Sequence, residues 1–111
     1  MESMEFNGWS NRETWAMNLW IENEYALNET ACEYARTEVE GHDKAEAINP
    51  YFLGESLKNY FEEDLFTFEN VSKNKDLFNM LTDIGSLYRI NWFEIAESYI
   101  SDALTEQKAR A

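Results

Sequence analysis

The chain has 111 residues, a net charge of −13 and 44% apolar side chains, among them 4 Trp, 6 Tyr and 7 Phe. That is enough apolar material for one domain with a core of its own, without metal or disulfide support. The aromatic content excludes intrinsic disorder, the single cysteine excludes an internal disulfide, and the charge opposes direct binding to DNA, RNA or an anionic membrane.

Residues 1–9 read as a lead-in to the domain, and the acidic start Met1-Glu-Ser-Met-Glu5 lacks the basic and apolar regions of a secretory signal. No apolar run approaches the roughly 20 residues that span a bilayer. A soluble protein of a reducing cytoplasm is therefore expected. Trp9, Trp15 and Trp20 fall within twelve residues. Ser10 with Glu13 matches a capping box, which predicts a first helix over residues 11–23. Trp15 and Leu19 share one face of it, and Trp20 lies on an adjacent face.

Asn28 is the expected cap of a second helix, which Gly41 terminates as the one glycine placed to do so. Residues 42–48 form a connector. Asn49-Pro50 signals a third start, followed by Leu53, Leu57, Tyr60, Phe61, Leu65 and Phe68 at helical spacing. The pattern breaks over residues 72–75 and resumes with Leu77, Phe78, Leu81, Ile84 and Tyr88. Asn91 with Glu94 caps the last helix, whose inner face is Trp92, Ile95, Ala96, Tyr99, Ile100 and Ala103, and residues 106–111 are expected to fray. No Gly, Pro or Ser-rich linker divides the chain. The fold expected is all-α, a compact single-domain bundle of about five helices over residues 1–111.

Two segments carry a family resemblance. The run Asn7-Gly8-Trp9-x-Asn11-x-Glu13-Thr14-Trp15-x-x-Asn18-Leu19-Trp20 resembles the opening of an uncharacterised family of small phage, plasmid and prokaryotic proteins. Ile90-Asn91-Trp92-x-Glu94-Ile95-Ala96-Glu97 is similar to its closing segment. Trp9, Ser10, Glu13, Trp15, Asn18, Leu19, Asn91, Trp92 and Glu94 form the structural motif on this reading. The resemblance implies a mobile-element setting, where small acidic proteins are often inhibitors of host defence, and it supplies no catalytic residue.

Exposed tryptophans can stack bases along a positive groove, but Arg12 is the only cation in the first 35 residues, so core packing is the reading of choice. Asn7, Asn11 and Asn18 fit turn and backbone capping. Ser10 and Ser72 read as caps. Acid pairs such as Glu62-Glu63 arise by chance among 22 acids, and no nucleophile, phosphate loop or cofactor fingerprint accompanies them. One His and one Cys build no zinc site, and no Asp/Asn spacing matches a calcium loop. His42 reads as a solvated loop residue and Cys32 as a small buried packing residue whose acidic neighbours oppose thiolate formation. No enzyme activity, cofactor or metal is expected.

Charge is the remaining clue. Residues 22–46 hold eight acids, including Glu22, Glu24, Glu29 and Glu33, against Arg36 and Lys44, and Glu62, Glu63 and Asp64 follow. Carboxylates every three or four positions on a helix give a row comparable to phosphates on a duplex. The expectation is a binding protein that inhibits a host nucleic-acid-targeting defence complex of the CRISPR or restriction kind by imitating nucleic acid. These acids would meet a basic host protein or ribonucleoprotein, with Trp20 and Tyr25 as anchors. The alternative is a non-enzymatic accessory protein, monomer or small homo-oligomer, acting through an apolar interface.

Overall fold

In the computed structural model, which describes residues 6–110, the chain enters its first helix through a tight turn. Phe6 and Trp9 exchange two backbone hydrogen bonds, of 2.6 and 2.9 Å, around Asn7 (φ 49°) and Gly8 (φ 92°). Two consecutive positive φ values suit Asn-Gly, because glycine has no Cβ to clash and asparagine tolerates the left-handed region. Helix α1 (Arg12–Asn23) follows. Its cap is Asn11, whose side-chain oxygen accepts from Thr14 N–H at 2.8 Å. Ser10 is not the cap that the box spacing predicted: its hydroxyl and its N–H both donate to Glu94, 84 residues away.

Helix α2 (Tyr25–Glu40) follows α1 after the single residue Glu24, which stands at its cap position without a side-chain cap bond, so Asn28 lies inside it rather than ahead of it. Gly41 does end α2, but in a right-handed conformation (φ −80°). The left-handed glycine stop belongs to Gly85 (φ 88°), after α5. Asn49 caps α3 (Pro50–Asn59) as predicted, accepting from Tyr51 N–H, with Pro50 in the first turn.

The expected continuous third helix is interrupted. Tyr60–Leu65 forms a π-turn, closed by a 2.9 Å bond from Phe66 N–H to the Phe61 carbonyl. The wider turn inserts an extra residue and changes the register. Phe61 stays in the core, stacked on Trp92 with centroids 5.6 Å apart, whereas Phe68 is 89% exposed instead of buried. Phe68 opens a short sixth helix absent from the expected five, α4 (Phe68–Lys73), which Thr67 caps. Ser72 is not a cap: its hydroxyl donates to the Glu69 carbonyl.

Asn74 caps α5 (Lys75–Ile84), which is shorter than the pattern predicted. Tyr88 therefore falls in a 3-10 turn (Leu87–Arg89) and is exposed, as is Phe78. Helix α6 (Trp92–Arg110) stays helical over 106–110 of the residues expected to fray, and residue 111 lies outside the described residues. Asn91 caps it, accepting from Glu94 N–H at 3.1 Å, and all six residues of its predicted inner face are buried.

The six helices enclose one core, including Met17, Ile21, Leu53, Leu57, Phe61, Met80, Ile84 and Ile95, each at most 1% exposed. Burial of side chains of this size contributes about 1.5–3 kcal/mol each. Helix α3 packs against α6 at Gly54, where a Cβ would lie 3.1 Å from the Trp92 carbonyl oxygen.

Candidate protein-binding surface

The two motif segments meet face to face. Ser10 binds the Glu94 carboxylate, the Asn11 amide donates to the Arg89 carbonyl at 2.8 Å, and buried Thr14 accepts the Asn91 N–H at 2.8 Å. Glu13 pairs with Arg89 at 3.3 Å. Its carboxyl is held below the ordinary glutamate range, first by a backbone N–H and then by Arg89. These residues seal the N-terminal turn onto the start of α6. Trp9, Trp15 and Trp20 are half-buried against the core, with Trp15 tilted on Phe6 at 4.9 Å, and Leu19 is partly exposed at 38%. Asn18 is buried and donates to Glu22 at 3.1 Å, while its side-chain oxygen has no partner.

The predicted partner-binding acids separate into three places. Tyr25, Glu29, Glu33, Arg36 and Glu40 recur at helical spacing along the outward side of α2. Tyr25 is 79% exposed and its hydroxyl donates to Glu29 at 2.8 Å, which raises its pKa. Arg36, the cation of this stripe, is engaged on both sides, by Glu33 at 3.6 Å and by Glu106 of α6 at 3.0 Å. Asp102 and Glu106 thus extend the acidic stripe onto α6. Both, with Glu29, raise the Cys32 thiol, which burial raises most; Cys32 is half-buried rather than fully so. At the inner end of this seam Tyr99 accepts from the Asn28 amide at 3.2 Å, and burial, then the Glu22 carboxylate, hold its phenol protonated well above the usual range.

A second group lies across α2. Asp64 and Glu38 both line an α2–α3 groove of about 470 Å³, together with Tyr34 and Tyr60. Glu63 is exposed nearby in the π-turn, but Glu62 is not a free acid: it accepts the Trp92 indole N–H at 3.1 Å. His42 is not simply solvated either, since it is half-buried and its Nδ1 donates to the Glu38 carbonyl at 2.9 Å.

The third place pairs Glu24 with Trp20 in a cleft between α1 and α5, together with Leu19, Asn23, Asn79 and Asp83. Sequence reasoning counted Glu38 and Glu40 among the acids of residues 22–46 without placing them at the surface site, and it missed Asp83, Asp102 and Glu106, which lie on elements whose place beside the others only the folded chain defines.

No group of three or more metal-ligating side chains converges among the described residues, and no described helix is long and apolar enough to cross a membrane. No curated protein and no solved structure matches the chain. Residues 2–106, which include both motif segments, match one sequence family, and the chain belongs to that family of unknown function, DUF7249.

Proposed function

We propose that the protein is a non-enzymatic binding protein whose acidic surface, centred on α2, occupies the nucleic-acid-binding site of a basic partner, and that this partner is a nucleic-acid-targeting defence complex of a host cell. The observation that carries the reading is the outward stripe of α2. Glu29, Glu33 and Glu40 succeed one another there, Asp102 and Glu106 flank them, and the intervening Arg36 is already neutralised on both sides. Glu29 and Glu33 rise about 6 Å along the axis, close to two phosphate steps of one DNA strand at about 3.4 Å each. A row of this kind offers carboxylates to Lys and Arg that otherwise hold phosphates.

The test is capture of partners from host lysate by the tagged protein at low salt, followed by salt-gradient elution and mass spectrometry. A basic nucleic-acid-binding complex that elutes early is expected, and the triple variant Glu29→Lys, Glu33→Lys, Glu40→Lys, checked for helicity by circular dichroism, should not retain it. Retention by the folded variant would remove the α2 stripe from consideration.

A second reading has its own observation. Tyr51, Phe52 and Phe93 are 54%, 60% and 42% exposed on α3 and the start of α6. An interface built on such aromatics draws on apolar burial, so its partner, including a second copy, would stay bound as salt rises.

A further inference from the structure

The C-terminal turns of α1 and α5 border the cleft between them and neither carries a basic residue; the α2 N-terminus, which begins beyond Glu24, offsets the α1 end, so the α5 end and the Glu24 carboxylate carry the negative charge there. The C-terminal end of a helix concentrates partial negative charge from unpaired carbonyls, equivalent to roughly half an electron charge, and favours a cation. Arg12 serves the α5 end from outside the cleft, donating to the Asp83 and Ile84 carbonyls and to one oxygen of the Asp83 carboxylate. The other Asp83 oxygen accepts the Trp20 indole N–H at 2.8 Å. That bond fixes the ring beside Leu19 in a cleft of about 460 Å³. Glu24 makes no ion pair among the described residues. With Arg12 offsetting Asp83, one carboxylate charge is left over, which matches a single monovalent cation.

We infer that this cleft receives one arginine side chain of the basic partner; the inference rests on the reading of a basic partner given above. The guanidinium is the fitting cation because it is planar, stacks on an indole and shares its N–H groups among several acceptors, here Glu24, Asp83 and the Asn23 and Asn79 amides, while its aliphatic stem lies on Leu19. A lysine ammonium is more strongly hydrated and matches this flat, divided acceptor set less well.

The experiment needs no knowledge of the partner. Acetyl-arginine-amide, acetyl-lysine-amide and acetyl-citrulline-amide are titrated into the 15N-labelled protein, with Trp20→Phe used to assign the Trp20 indole signal. Arginine should shift the Trp20 indole and the Asn79 amide saturably. Lysine should need at least several-fold more ligand, citrulline should leave the signals in place, and Glu24→Gln should weaken arginine binding several-fold in a folded protein. Equal shifts with citrulline, or arginine shifts that spread over the acidic surface without saturating at Trp20, would overturn the inference. Because the α2 stripe residues are untouched by Glu24→Gln, failure here leaves the capture experiment intact, and retention of the partner on α2 reversal leaves this titration to stand by itself.

Discussion

Thr14 shows how one hydroxyl can hold two distant segments together. It is fully buried on α1, and its oxygen accepts the backbone N–H of Asn91 at 2.8 Å, 77 residues later. Thr14→Val keeps the shape but strands that N–H, so a loss of about 1–3 kcal/mol is expected, read by urea denaturation. Glu13 acts at the same junction through charge. Its carboxyl pKa is lowered in the fold, by a backbone N–H and by Arg89, so its contribution is present above the unfolded glutamate value and is lost as pH falls through the folded one. Denaturation midpoints measured from pH 6 down to 3 should fall less steeply in Glu13→Gln than in the parent. Neither partner was legible beforehand: Thr14 and Glu13 look like ordinary first-turn residues, and the capping-box spacing pointed Glu13 at Ser10 rather than at Arg89.

Among the elements, the contact of α3 with α6 depends on the smallest side chain. Gly54 sits in the middle of α3, where alanine has the better helix propensity by about 1 kcal/mol. The added methyl would meet backbone, with the Trp92 carbonyl oxygen at 3.1 Å and the Phe93 nitrogen at 3.3 Å, and backbone yields less readily than a side chain. Gly54→Ala should therefore destabilise by about 1–3 kcal/mol despite its propensity, measured as a drop in thermal midpoint. The π-turn at Tyr60–Leu65 follows on the same helix path. It places Phe61 on Trp92 and turns Glu62 to the Trp92 indole, which removes one predicted binding acid from the surface.

Over the whole molecule, the surplus of carboxylates repels itself. A net charge of −13 is gathered into a slab with extents of 43 × 40 × 21 Å, and the described ion pairs engage five of its cations, Arg12, Arg36, Lys73, Arg89 and Arg110. Screening over a Debye length of about 10 Å at 0.1 M weakens that repulsion. Raising sodium chloride from about 10 mM to 0.2 M should increase the urea midpoint of the free protein while loosening any partner held through carboxylates. Opposite signs for stability and for binding would separate the acidic surface from an apolar interface, for which both should hold or strengthen.

The all-α class, the single core and the inner face of α6 are legible in the amino-acid order, because helical periodicity and Asn capping are written in neighbouring residues: Asn49 with Pro50, Asn91 with Glu94, and Trp92 through Ala103. Tertiary structure decided which of several caps is used, where the third helix breaks and which acids remain available. Ser10 bonds to Glu94 and Glu62 to Trp92 because packing brings partners 84 and 30 residues away within hydrogen-bond distance. Local spacing carries no information about such distant partners, yet without them these part-buried polar groups would lose water and gain no bond in the fold.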